Sequence, residues 1–575
     1  MNTFMKAMDT HTPKNIGENG HLQHAWSNNI QDKICQLYFQ LVRTKNQGDL
    51  ESQWREILSS FIGKEVEYWD MFKTVIKMVA NVRDIVEGKG EQNLSFMMLY
   101  ALWDYYPSIA EYIFVKFISM GDTHCLGSIK DIKYFCNYIK SRSSSNLENH
   151  PFINYILDIC VDFLKHDESK YAQNQPVSLF GKWFPRSKSK KFGWINRRFS
   201  VMYYYNIMST AKTVDQKYKA KKKCETKLRQ LLAKLNKYLD TTQIKMAGKN
   251  WAQIDFNKVT GPTLRIHRKA FQNKNKKGET RSNEVDRVEC SINLTNHLQK
   301  AVDGKVILKG KTVDMYKLVK DALTATSVDD INMVNEQWKT NSSVNKEQQH
   351  YIIPMSDTSS SMDIDESIPM YNSIGFGIRI SEKTHPAFRH RIMTFSTEPR
   401  WFQLNENMTF HQKVRTMKSD NSWGGSTNFY KALEMVLNVC VENDVPPSDV
   451  EKMILAIFSD MQINQATHSG GPNMTTMMEN IKVLYSEAGL KTKWRQPYPV
   501  PHILFWNLRK TNGFPNSVHE PNTSMISGYN PVLLNTFTEK GLHELKKVTP
   551  YKMLFDIINK ERYRVIDECL LKYFN

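Results

Sequence analysis

YIIPMSDTSSSMDIDES, residues 351–367, sets an apolar run directly before Asp357 and then follows it with four hydroxyl side chains, Thr358, Ser359, Ser360 and Ser361. A short buried run that ends in oxygen-bearing side chains reads as a strand delivering ligands for a hard cation, because Mg²⁺ and Ca²⁺ take oxygen donors. The reading of the whole chain turns on whether later segments can bring further oxygens to the same place.

From residue 350 onward, strand-like and helix-like segments alternate. YIIPMS (351–356), HRIMTFS (390–396), MILAIFS (453–459) and HILFWNL (502–508) read as buried strands, with helical periodicity at 367–382, 428–443 and 475–489 between them. Continuous apolar strands separated by helices predict a doubly wound α/β unit with a mostly parallel sheet. Such sheets bind ligands at the carboxyl ends of their strands, where the strand order reverses. Asp357, Ser359 and Ser361 leave the first strand, Thr427 sits in the glycine-containing loop of SWGGSTNFYKAL, and Asp460 ends MILAIFSD. These five residues are the expected metal ligands. Mg²⁺ demands near-octahedral oxygen donors at ~2.0–2.1 Å and keeps several waters. Serine and threonine hydroxyls can ligate directly while Asp357 and Asp460 balance the charge, so the cation, Mg²⁺ or Mn²⁺, stays electrophilic and open to a carboxylate from a partner.

Upstream, the pattern is different. Residues 1–27 read as a flexible tail, and 28–345 as an α-helical repeat region, with apolar residues spaced three and four apart in segments such as YWDMFKTVIKMVANVRDIV. Successive amphipathic helices with turn-like breaks predict stacked helical hairpins, a HEAT-like array. The basic segment at 181–229 opens with GKWFPRSKSKKFGWINRR (181–198), which holds seven cations and no acid among Trp183, Phe184, Phe192 and Trp194. Cations track phosphates and aromatic rings stack on unpaired bases. Lys182, Arg186, Lys188, Lys190, Lys191, Arg197 and Arg198 are therefore the expected RNA contacts; a solvated basic face is the plainer alternative. The polar stretch 272–287 reads as a flexible loop.

The formal net charge of +19 favours a polyanionic partner. Eight cysteines without a C-x-x-C pair give neither a disulfide framework nor a zinc site, and no apolar run approaches the ~20 residues of a membrane span. A cytoplasmic setting with no membrane association is the expectation. GKVILKGKT (304–312) lacks the spacing of a phosphate-binding loop. With no nucleophile–base pair at interpretable spacing and no separate carboxylate pair, an enzyme is not expected.

Asp-x-Ser-x-Ser at 357–361, Thr427 in its loop and Asp460 after an apolar strand resemble the metal-ion-dependent adhesion site of von Willebrand factor A domains. Ser360 stands where many such domains have glycine. VRDIVEGKGEQN (82–93), GSIKDIKYF (127–135), KWFPRSKSKKF (182–192), RKAFQN (268–273), FWNLR and SGYN extend the resemblance to proteins of the Ro autoantigen type, and more closely to a related family found in bacteria, eukaryotes and some giant viruses. The resemblance implies TROVE-like helical repeats that bind RNA, followed by a von Willebrand factor A-like domain at 346–575 whose metal site takes an acidic protein ligand. Lys130 and Asp131 occupy its "KD" position. The implied function is a non-enzymatic RNA-binding scaffold; the alternative is a protein-binding adaptor or structural virion component without specific RNA binding.

Overall fold

The computed structural model describes residues 13–18, 22–121, 123–142, 149–341, 351–384, 386–395, 398–420, 429–461, 474–534 and 547–574. Helices Ile30–Gln40, Gly48–Ser60, Trp69–Arg83, Gln92–Tyr105, Pro107–Ile118, Lys130–Ser141 and Pro151–Ala172 follow one another; most successive members pack together, and Gly48–Ser60 packs on Gln92–Tyr105. Local chemistry sets their starts. The Asn29 side chain accepts from the amides of Gln31 and Asp32, and Pro107 and Pro151 occupy first-turn positions, where a missing N–H costs nothing. The 26-residue helix Val214–Leu239 opens on a capping box between Thr213 and Gln216.

The carboxyl-terminal part is a six-stranded mixed sheet. Strands β3 (Tyr351–Ser356), β4 (Arg391–Thr394), β5 (Trp401–Gln403), β6 (Met453–Ser459), β7 (His502–Asn507) and β8 (Thr523–Ser527) lie in the order β5-β4-β3-β6-β7-β8. All pairs are parallel except β4 with β5. Two strands lie beyond the four expected: β5 spans three residues, and β8, TSMIS, has hydroxyls at three of its five positions although every position is buried. The sequence pattern of an ordinary edge strand is misleading here, because helices Ile30–Gln40 and Pro550–Ile558 cover β8.

A proline inside a central strand needs an explanation. Ser356 turns its carbonyl to the Phe395 amide and Asp357 its amide to the Phe458 carbonyl, so by alternation the nitrogen of Pro354 faces β4. Pairing with β4 begins only at Met355, so no ladder bond is forfeited. Helix Ile368–Ser381 then lies unusually close to β3: a Cβ on Gly377 would stand 2.4 Å from the Ser356 hydroxyl.

Where a loose tail is expected, β1 (Lys14–Ile16) and β2 (Leu22–His24) form an antiparallel pair. The hairpin is held to the segment after β7 by reciprocal backbone bonds between His24 and Phe514 and by the edge contact of Trp26 with Phe514. The expected loop at 272–287 is likewise tied down. The Asn273 side chain donates to the Ser282 carbonyl at 2.6 Å, and Val285 opens the helix Val285–Val302.

The helical and sheet regions share one hydrophobic core that runs from Ile34 to Leu570, with a satellite core around Phe256, Phe271, Leu294 and Leu298. Helices Pro550–Ile558 and Arg564–Phe574 return to pack on Trp69–Arg83. Residues 83–91 fasten the two regions. Arg83 forms a bidentate pair with buried Asp131 at 2.8 and 3.0 Å, and Asp84 one with Arg562 at 2.7 and 3.0 Å. The Tyr563 hydroxyl also donates to Asp84, at 2.9 Å. Glu91 takes Arg43 through two bonds of 3.0 Å. Lys89, fully buried, donates to the carbonyls of Tyr38 and Leu41 and to the Ser527 hydroxyl, and lies 3.8 Å from the Tyr38 ring centroid. Burial drives its amine well below the usual lysine range.

Two glycines let this loop close. Gly90 has φ +71°, and a Cβ on Gly88 would stand 2.0 Å from the Asn81 carbonyl oxygen. Gly88→Ala is expected to destabilise the protein by about 1–3 kcal/mol, the usual scale of forced overpacking. Urea unfolding of the two forms measures it; an unchanged midpoint would mean that the loop relaxes freely.

Candidate functional site

The strand order reverses between β3 and β6, where β3 continues to β4 on one side and β6 to β7 on the other. Asp357 and Asp460 leave the carboxyl ends of these two adjacent strands, at the crevice where open α/β sheets bind ligands. Both are 1% exposed. Asp357 Oδ1 accepts the Ser359 amide at 2.8 Å, a tight turn that swings the following hydroxyls back over the strand end, and Oδ2 accepts the Ser459 hydroxyl at 2.7 Å. Burial, with the Asp460 charge beside it, pushes the Asp357 carboxyl up to about 7.

The turn brings Ser359 Oγ to 2.9 Å from Ser361 Oγ. Two oxygens occupying adjacent octahedral positions at ~2.1 Å from one ion stand ~3.0 Å apart, so the spacing of this hydrogen-bonded pair is also compatible with an Mg²⁺ or Mn²⁺ ion. The Thr358 hydroxyl beside them is buried without a partner. All donors are oxygens, the set a hard cation takes. Among the described residues, no group of three or more His, Cys, Asp or Glu side chains is placed to hold a metal. The set at the strand ends differs in kind: two carboxylates with hydroxyls. Thr427, expected as the fifth ligand, lies outside the described residues.

Arg509 is the site residue that sequence reasoning passed over. It follows β7 by two positions, and its guanidinium reaches Asp460 Oδ2 through Nε at 2.9 Å while also binding Glu18, beside the amino-terminal hairpin, at 2.6 Å. Two buried carboxylates would repel one another; Arg509 lowers that cost from the Asp460 side. The signal was present in FWNLR, which places a cation just past the carboxyl end of the strand next to β6.

The basic segment divides. Lys182 comes to 5.2 Å from the Trp183 ring centroid, and Lys130 and Lys133 from the preceding helix Lys130–Ser141 come to 4.1 and 5.3 Å. The amines of Lys130, Lys133 and Lys182 and the guanidinium of Arg186 are all held below their usual range. Burial is the main cause for each; in the three lysines, neighbouring cations add to it. Asp131, the nearest carboxylate along the chain, is spent on Arg83 and Gln92. Lys188, Lys190 and Lys191 are exposed. Arg197 donates to the Ser187 carbonyl and Arg198 to the Asn154 side chain, so these two are engaged structurally. Lys130 and Lys133, three apart on one helix face, were findable from that spacing, but their meeting with Lys182 is tertiary.

Residues 351–564 match the model of a domain of unknown function, DUF7788. The chain is also similar to "Uncharacterized protein L728" of Acanthamoeba polyphaga mimivirus, 26% identical over 516 residues that cover 88% of this chain and 82% of that protein. No described helix is long and apolar enough to cross a membrane.

Asp131 is buried and doubly paired, so its role is structural. Asp131→Ala strands a buried arginine and is expected to cost about 3–5 kcal/mol in urea unfolding. Lys130→Ala, on the cation face, is expected to leave the unfolding midpoint within about 0.5 kcal/mol of the parent.

Proposed function

We propose that the protein is a non-enzymatic binding scaffold whose carboxyl-terminal unit works as a von Willebrand factor A-like domain with a metal-ion-dependent adhesion site. The observation that carries the reading is the convergence of Asp357, Ser359, Ser361 and Asp460 at the reversal point of the sheet, with the two serine oxygens at octahedral-edge spacing. Ser359 and Ser361 would hold Mg²⁺ or Mn²⁺ directly, with Thr427 as a further hydroxyl and Asp357 and Asp460 balancing charge. A bound cation supplies an electrophilic position for the carboxylate of an acidic protein partner. Arg509 keeps part of the negative charge neutralised, which favours moderate and reversible cation affinity.

On the helical side, the reading assigns RNA to the face built from Lys130, Lys133, Lys182 and Arg186 around Trp183. Partly buried cations that depress one another would be stabilised by phosphate, and the partly exposed Trp183 among them offers a stacking surface. We read the helices as TROVE-like repeats, which with this face gives the ribonucleoprotein part of the proposal, and a cytoplasmic setting is proposed with it. The mimivirus relative favours a second reading, a structural virion component without specific RNA binding. Proteomic analysis of purified particles, together with the RNA measurement below, separates the two.

Mn²⁺ titration followed by electron paramagnetic resonance should reveal one site in the full chain. Ser359→Ala/Ser361→Ala should abolish it, and Arg509→Gln should tighten it several-fold by removing a competing charge. Failure to bind Mn²⁺ would sink the metal reading, and unchanged affinity in Arg509→Gln would remove the charge argument. For RNA, affinity should fall steeply with salt, and Lys133→Ala/Lys182→Ala should lower the slope of log K against log salt by about 2. A salt-insensitive association leaves the virion reading.

A further inference from the structure

Between Lys212 and Lys237 the chain places ten lysines and arginines against two carboxylates, Asp215 and Glu225. All ten cations are exposed, and all but Lys212 lie on the helix Val214–Leu239. Lys222 meets Glu225 at 3.5 Å; among the described residues the other nine form no ion pair. The helix is anchored on one side only. Ala220, Cys224, Leu228, Leu232 and Leu235 are its buried apolar stripe, set against the helices Phe180–Trp183, Gly193–Tyr203 and Tyr205–Ser209. The Asn236 side chain donates to the Gly181 carbonyl at 2.5 Å and fixes the far end.

On the exposed side, Lys219, Lys223 and Lys227 recur every four residues and form one ridge. Like charges at this spacing oppose helix formation, and the capping box at Thr213 together with the buried stripe holds the helix against them. From Lys219 to Lys237 the rod runs ~27 Å at ~1.5 Å per residue, about eight base pairs at ~3.4 Å each. No aromatic residue stands between Tyr218 and Tyr238. Tyr238 itself packs edge-on against Tyr171, and its hydroxyl donates to the Gln175 carbonyl. Unpaired bases would therefore find no stacking platform along the ridge, unlike the face at Trp183. What it offers is charge at fixed spacing, which suits a backbone whose bases are already stacked on one another.

We propose that the exposed side of the helix Val214–Leu239 is a docking surface for the phosphate backbone of a nucleic-acid duplex, RNA or DNA, bound without regard to sequence. Lysines on a regular rod neutralise phosphates and release their counterions, and such contacts position a duplex without reading its bases. An anionic membrane would attract the same charge, but an interfacial helix buries an apolar face in lipid, and here the apolar stripe is already used inside the protein. The proposal goes beyond the reading of the Trp183 face, which concerns unpaired bases, and stands even if that face binds no RNA.

Fluorescence anisotropy of the full chain over a salt series tests it, with blunt RNA and DNA duplexes of about twenty base pairs, the matching single strands, and phosphatidylserine vesicles. At least one duplex should bind, and whether RNA, DNA or both bind identifies the source. Lys219→Gln/Lys223→Gln/Lys227→Gln should lower the slope of log K against log salt by about 3 and weaken duplex binding at least tenfold, with the far-UV circular dichroism unchanged. Lys219→Arg/Lys223→Arg/Lys227→Arg should bind as the parent does. Lys258→Gln/Lys276→Gln/Lys277→Gln removes the same charge from another exposed region and should leave the slope within about 1 of the parent. Lys133→Ala/Lys182→Ala should leave duplex binding unchanged, which keeps a failure at the Trp183 face distinct from a failure here. The proposal is overturned if neither duplex binds at low salt, or if the two glutamine triples weaken binding equally. It is also overturned if single strands bind through the ridge more tightly than duplexes, or if vesicles bind through it and duplexes do not.

Discussion

The segment from Arg83 to Glu91 is the constraint on which the rest of the molecule depends. Within nine residues it sends Arg83 to Asp131, Asp84 to Arg562, Lys89 to Ser527 and Glu91 to Arg43, so one loop touches the helical array, the last strand and the final helices. Buried charges are expensive unless paired and hydrogen-bonded. Arg83 and Glu91 find their partners within the helical array, whereas Asp84 and Lys89 are satisfied only if the final helices and the last strand hold their present positions. Hydrophobic burial drives the regions together without direction, and this loop supplies the direction. The backbone had to allow it: Gly88 passes against the Asn81 carbonyl where no side chain fits.

Joining the regions in this way explains features that either one alone would not. Strand β8 has the hydroxyl-rich composition of an exposed edge, yet its serines are buried, and Ser527 meets Lys89 and donates to the Tyr38 carbonyl. Asn530 reaches the Gly88 carbonyl at 2.6 Å, and Asn507 the Phe39 carbonyl at 3.1 Å. The amino-terminal hairpin lies against the segment after β7, and Glu18 beside it meets Arg509 at the rim of the strand-end site. The charge balance of the two buried aspartates is thus set partly by a residue nearly five hundred positions upstream.

Much of this architecture was legible because parallel strands buried on both faces read as continuous apolar runs. YIIPMS, MILAIFS and HILFWN fall where that pattern puts them, and Asp357 and Asp460 follow from the rule that strand ends face the crevice. The pairing of Ser359 with Ser361 was implicit in their spacing on a tight turn. What could not be read were the partners. The sequence VRDIVEGKGEQN is conspicuous for its charges, but whether Asp84 faces solvent, a metal or Arg562 depends on a helix that closes the chain. The same holds for the cations. Nothing local distinguishes Lys182, which joins Lys130 and Lys133 at Trp183, from Arg198, which is spent on Asn154. Strands β5 and β8 were missed for a related reason: a three-residue strand has no period, and β8 is buried by distant helices rather than by its own composition.

The junction also leaves a cleft between the two regions. Buried polar atoms without a partner, such as the Trp103 and Trp194 indole nitrogens and the Thr358 hydroxyl, occur in both regions rather than along the junction alone. Arg43 is locked by Glu91, and Lys45 bridges to Asp365 at 3.0 Å across the gap. Tyr134, Tyr138 and Tyr529 line the space beside these pairs. A clasp of this kind therefore does more than join two regions: because Arg43 is tied to Glu91 and stands over the Tyr529 ring, the loop that sets the helical array on the sheet also fixes one wall of the cleft beside it.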